Sequence, residues 1–150
     1  MTYKKTGSGK NKEDIATTSI RLSAAGNGRT TPLIEAVKIG DTNRVMMLLE
    51  RKANVDERDN YGSTPLNWAA WRGNVGIAKI LLGYKANVNA TDINQRTVLM
   101  WAADHEHVDM VKFLLEHGAN ANARDVSDWP VVKFATNKEI LALLRDYGAE

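Results

Sequence analysis

Apolar residues fall along this chain in short clusters, each separated from the next by a polar or glycine-containing break. Residues 64–96 show the pattern most clearly. Leu66, Ala69 and Ala70 follow helical spacing with small side chains, and Ile77, Ile80, Leu81 and Leu82 follow it with larger ones. A recurrence near 3.6 residues predicts two amphipathic helices. Gly73 and Asn74 break the pattern between them, and Ala86 to Arg96 is polar and turn-prone, as a hairpin loop would be. At the start, the Thr64 hydroxyl is placed to cap the free N–H groups of a new helix. Pro65 then occupies the first helical position, where a missing N–H has no consequence.

The pattern recurs. Thr31-Pro32-Leu33 returns as Thr64-Pro65-Leu66 and again as Thr97-Val98-Leu99, each 33 positions on. Leu48-Leu49 through Ala53-Asn54 returns as Leu81-Leu82 through Ala86-Asn87, then as Leu114-Leu115 through Ala119-Asn120. Asp56, Asn89 and Asn122 keep the same phase, and each is expected to close a short extended segment. A helix pair of this size cannot bury its apolar face alone; stacking on copies of itself does so.

A period of 33 residues, with Thr-Pro-Leu, paired alanines (Ala69-Ala70, Ala102-Ala103) and Leu-Leu-x-x-Gly-Ala, resembles the ankyrin repeat. The resemblance covers about residues 29–150. It implies an all-α repeat solenoid, with helix-turn-helix units joined by β-hairpin loops. The expected units are 29–61, 62–94, 95–127 and a shortened carboxy-terminal cap, 128–150. Residues 1–28 match no repeat and read as a basic tail, with a capping helix possible over 13–25.

The fourth unit departs from the pattern. Pro130 stands where the threonine should be, which leaves Asp128 as the candidate cap. From Gly118 to Gly148 is 30 positions, so three residues are missing, and the first helix and following turn are where a loss is expected. Lys138, Glu139, Arg145 and Asp146 would give the last unit a polar outer face. Gln95 and Asp128 occupy the place held by Gly62 in its own hairpin, and Asn94 is the expected substitute for the missing glycine beside Gln95.

Charge and composition narrow the chemistry. The net charge is +2 from 20 basic and 18 acidic residues. Six of the basic residues, against Glu13 and Asp14, lie in residues 1–30, so the repeats are close to neutral and no nucleic-acid footprint is expected across them. Absence of cysteine excludes disulfides, thiolate nucleophiles and cysteine-ligated zinc. The longest apolar run, Val98 to Ala103, is far short of a membrane span. Lys4 and Lys5 are followed by no apolar segment of a secretory signal, so a cytoplasmic or otherwise intracellular location is expected.

No catalytic, cofactor or metal site is expected. Gly7-Ser8-Gly9-Lys10 lacks the upstream glycine of a phosphate loop, since Lys4 stands there, and Asn11 replaces its magnesium-binding hydroxyl. Asp104-His105-Glu106-His107 lacks the spacing that puts two ligands on one helix face. The family resemblance instead implies that His107 sits in the turn between two helices and bonds locally. No small-molecule substrate is implied.

The resemblance implies a non-catalytic module that binds another protein through a concave face of hairpin tips and first helices. The residues expected there are Arg58, Tyr61 and Ser63, then Ile93, Asn94 and Arg96, then Val126 and Trp129 on the tips. Trp68, Trp71, Arg72, Trp101, Asp104 and His105 are expected from the first helices and their turns. Trp71 and Trp129 are predicted to be exposed, and Trp68 and Trp101 to stack on one another. Trp, Tyr and Arg dominate interface hot spots, so their concentration points to a protein partner. The alternative is an adaptor that binds nucleic acid or an acidic membrane surface through Lys4, Lys5, Lys10 and Lys12.

Overall fold

The computed structural model describes residues 30–150; the expected tail, its capping helix and the phosphate-loop candidate lie outside them. Four units follow one another. The first pairs α1 (Pro32–Ile39) with α2 (Thr42–Glu50), and the second pairs α3 (Pro65–Arg72) with α4 (Val75–Gly83). The third pairs α5 (Val98–Asp104) with α6 (Val108–Glu116). The last pairs a single 3-10 turn, Val131–Phe134, with α7 (Lys138–Asp146). Two layers result: α1, α3, α5 and the 3-10 turn stack in order, and α2, α4, α6 and α7 stack behind them.

Local chemistry sets where each helix begins. The hydroxyls of Thr31, Thr64 and Thr97 accept from the backbone N–H groups of Ile34, Asn67 and Met100 at 3.1, 3.3 and 3.2 Å. Second helices start on Asp41 and Asn74, whose side chains accept from Arg44 and Ile77 at 3.0 Å. Each such cap is worth about 1 kcal/mol. The core is larger in effect: Leu33, Leu66, Ile77, Leu81, Leu99, Leu114 and Leu144 are all fully buried, and truncating one such leucine typically costs about 2–5 kcal/mol. Ala69, Ala70, Ala102 and Ala103 are fully buried between the first helices, so small side chains let the inner layer close up.

Two periodic clamps tie unit to unit. Asp56, Asn89 and Asn122 lie in turns, not in the extended segments expected of them. Their side chains accept from the backbone N–H of Asn87, Asn120 and Glu150 at 3.0, 2.8 and 3.1 Å, roughly one repeat further on. The hairpin loops supply the second clamp: Ile93 N–H donates to Tyr61 O, and Val126 N–H to Asn94 O, each at 2.9 Å. These loops are hairpin-shaped turns without strands among the described residues; single bridges, Thr91 with Thr97 and Arg124 with Pro130, close the second and third.

The departures in the sequence resolve differently from expectation. Gln95 itself takes the left-handed backbone of Gly62, at φ 60°, and Asn94 does not substitute for the glycine. Asp128 also becomes left-handed, at φ 65°, and caps nothing; the 3-10 turn begins on Pro130 without a side-chain cap. The missing residues are thus accounted for by a first helix reduced to one turn. Lys138, Glu139, Arg145 and Asp146 are exposed on the last unit.

Between α5 and α6 the left-handed position falls on Glu106, at φ 59°, where the preceding unit has Gly73 at φ 73°. A side chain in this conformation is strained by roughly 1–2 kcal/mol. At Gly73 a Cβ would also come within 2.6 Å of the His107 ring. Glu106→Gly should therefore raise the urea midpoint of unfolding, and Gly73→Ala should lower it by about 1 kcal/mol or more.

Glu57, in the first loop, accepts from the Thr31 hydroxyl that also caps α1. Burial raises its carboxyl pKa, and the bonds from Thr31 and the Ile34 backbone only partly offset this. A carboxyl raised in the folded state binds its proton more tightly there than in the unfolded chain. Its contribution to stability is complete below the unfolded value and is lost as pH rises through the folded one. Glu57→Gln should flatten the fall in stability above the ordinary carboxylate range and be no less stable than wild type at pH 7. Urea titrations across that range measure it directly.

Candidate functional site

The first and second hairpins carry an aspartate at one phase, Asp59 and Asp92, each 7% exposed. Asp59 Oδ1 accepts from the backbone N–H of Tyr61 and Ser63 at 2.9 and 3.0 Å. Its Oδ2 accepts from the indole N–H of Trp68 at 2.8 Å. Asp92 repeats the arrangement with Asn94, Arg96 and Trp101, at 2.8, 3.0 and 3.1 Å. One carboxylate thus shapes the hairpin tip and also docks the tryptophan of the following first helix. Asp125 holds Ser127 and Trp129 N–H at 2.9 Å in the same way. At its docking position stands Phe134, which has no N–H to give.

These bonds set the tryptophans. Trp68 and Trp101 are half-buried, and they do not stack on one another as expected. Trp68 meets Trp71 edge to face, with centroids 5.1 Å apart, and Trp101 lies parallel to His105 at 5.9 Å. Trp71 is half-buried rather than exposed, because Trp68 flanks it and the His105 ring meets it edge-on at 5.5 Å.

Between the hairpin tips and the first helices runs an open groove of about 330 Å³. Tyr61, Ser63, Trp68, Trp71, Asp92, Ile93, Asn94 and Trp101 line it. All but Asp92 are among the residues expected at the binding face from the sequence. Ser63 is buried beneath the tip, whereas Tyr61 and Ile93 are 65% and 71% exposed. Arg58, Arg72, Arg96, Asp104, His105, Val126 and Trp129 are not in the groove wall. Of these, Arg96 and His105 are half-buried and the others exposed. Val126 and Trp129 form the next tip, with the Trp129 ring 6.2 Å from Phe134. Arg58 donates to the carbonyls of Gly62 and Thr91, so it braces two loops from outside.

The histidines act within the framework. His105 Nδ1–H donates to Trp101 O at 3.0 Å, and His117 Nδ1–H to Phe113 O at 2.8 Å. His107 stands at the start of α6, in the inter-helix turn as expected, but its bond is not local: Nε2–H donates to Trp71 O in the preceding unit at 2.9 Å. No group of three or more His, Asp or Glu residues among the described residues is arranged to hold a metal ion.

The hairpin aspartates are the residues that sequence reasoning missed. Their signal was present, since Asp59, Asp92 and Asp125 recur at the repeat spacing. Their task was hidden because it joins a loop to an indole nine positions later.

Stacked helix pairs, clamped by periodic side-chain bonds and opening an aromatic groove along their loops, define a repeat solenoid. Residues 8–92 match the family model for ankyrin repeats in three copies, and residues 94–126 match that for a single ankyrin repeat. The chain belongs to the ankyrin repeat family. The first match begins within the segment that the sequence pattern sets apart from the repeats. No curated protein gives a significant match.

Removing the carboxylate at Asp92 should unseat the third unit's loop. Asp92→Ala deletes three hydrogen bonds to a charged acceptor, each worth about 1.5–3 kcal/mol, and should lower stability by at least one such bond. Trp101→Phe deletes only one and should be milder. Denaturation of the two variants side by side, with indole fluorescence as the local probe, checks the order.

Proposed function

We propose that this chain is a non-catalytic protein-interaction module that holds its partner on the face formed by its hairpin tips and first helices. Ankyrin repeats are generally protein–protein interaction modules and generally non-catalytic. One observation carries the assignment to this face. The groove joins three indoles to Tyr61 and Ile93, the two large hydrophobic tip residues in its wall that are exposed. Neither tip side chain serves the core, and a contiguous apolar surface of this kind on a folded protein marks an interaction site. Val126 and Trp129, 60% and 48% exposed, extend the same surface along the stack.

Among the described residues no helix is long and apolar enough to cross a membrane. The basic residues of the alternative adaptor reading lie outside the described residues, and the groove is the better-supported site.

The half-buried setting of Trp71 decides which variants test this. Truncating it would disturb packing, so the probe is Tyr61→Ala with Ile93→Ala, which removes exposed side chains only. Hot-spot residues typically contribute about 2 kcal/mol or more each. A protein captured by the wild type should be retained far more weakly by the double variant at an unchanged melting temperature. Equal capture by both would remove the binding role from this face.

A further inference from the structure

Cations already occupy the indoles of this face. Lys38 Nζ lies 4.2 Å from the Trp68 ring centroid, Arg96 5.8 Å from that of Trp101, and Lys133 5.1 Å from that of Trp129. Three of the four indoles thus have a positive charge near the ring, supplied from different repeat positions, and Arg96 lies nearer still to the Phe134 ring, at 4.7 Å. A cation at a ring face is held by the ring quadrupole, so a cationic guest would compete for occupied faces and meet like charge.

The opposing acids are engaged. Asp59 and Asp92 are buried under the loops with their oxygens bonded to backbone and indole N–H groups. Asp104 lies 3.9 Å from Arg96. Lys38 and Arg72 have no carboxylate partner among the described residues, and Arg72 is exposed directly beside Trp71. Trp71, in the groove wall, donates its indole N–H to no acceptor among the described residues. Apolar walls, an indole N–H and nearby basic groups that lack a carboxylate partner, Lys38 over Trp68 and Arg72 next to Trp71 in sequence, together suit one guest.

Given that the groove is a protein-binding site, we infer that its ligand is an acidic peptide segment. One apolar or aromatic side chain fills the space between Trp71, Trp101 and Ile93, and flanking carboxylates reach Lys38 and Arg72. Complementary rim charges act chiefly on specificity and on the rate of encounter.

Selection from a displayed library of random peptides against the full chain tests this whatever the natural partner is. The expected winners carry an apolar anchor with Asp or Glu beside it, and they lose affinity as salt rises. Changing the acids of a winning peptide to amides should weaken binding to wild type roughly tenfold, the scale of two rim ion pairs. The same change should have little effect on a Lys38→Gln, Arg72→Gln variant, whose fold circular dichroism verifies. Winners with basic flanks, or acidic winners indifferent to that variant, would overturn the charge assignment while leaving the groove as the binding face. Winners that still bind the Tyr61→Ala, Ile93→Ala variant would overturn the binding face itself. An empty selection beside successful capture of a folded partner would overturn the peptide inference alone.

Discussion

Helices of seven to nine residues do not hold together by themselves in water, where about 12–15 residues are needed even for good helix formers. Every α-helix among the described residues of this chain is that short. Each therefore exists because a neighbour covers its apolar face, and the rest of the structure follows from that dependence. The alanine pairs of α3 and α5 are fully buried because the inner layer has to close up. The side-chain clamps of Asp56, Asn89 and Asn122 recur because each unit must be fastened to the one that covers it.

The same dependence shapes the face proposed for binding. A loop that connects stacked units is held at its base and tied, through its backbone, to the next loop, so its outermost side chains can vary without disturbing the core. The hairpin aspartate links the two zones: it shapes the tip with backbone bonds and ties the first-helix indole down beside it. Groove and framework therefore share residues, and Trp68 and Trp101 belong to both. Each ring has one side packed near the core and its N–H anchored on a carboxylate, with the remainder left to line the groove. An amphipathic ring suits that double position.

Where the repeat is imperfect, the fold accommodates it by strain or by shortening. Gln95, Glu106 and Asp128 accept left-handed backbone because the units on either side dictate the path of the chain. In the last unit the first helix shrinks to a 3-10 turn, with Val131 and Phe134 still buried against the unit before it. A single turn thus buries both side chains without a full first helix.

The period, the helix starts and the type of face are legible in the order of the residues alone. Caps, glycine breaks and apolar spacing act within a few residues of one another, so local patterns carry them. Most of the groove wall, from Tyr61 to Trp101, is legible too, because phase within a repeat predicts which side a residue occupies. What those side chains touch was settled by packing in three dimensions. It turned Trp68 and Trp101 toward the hairpin aspartates instead of each other, lodged Trp71 against its neighbours, and carried the His107 bond back to the preceding unit. These contacts join positions in different loops, helices and units. Their partners are set by how closely the layers pack, a distance that no spacing along the chain records.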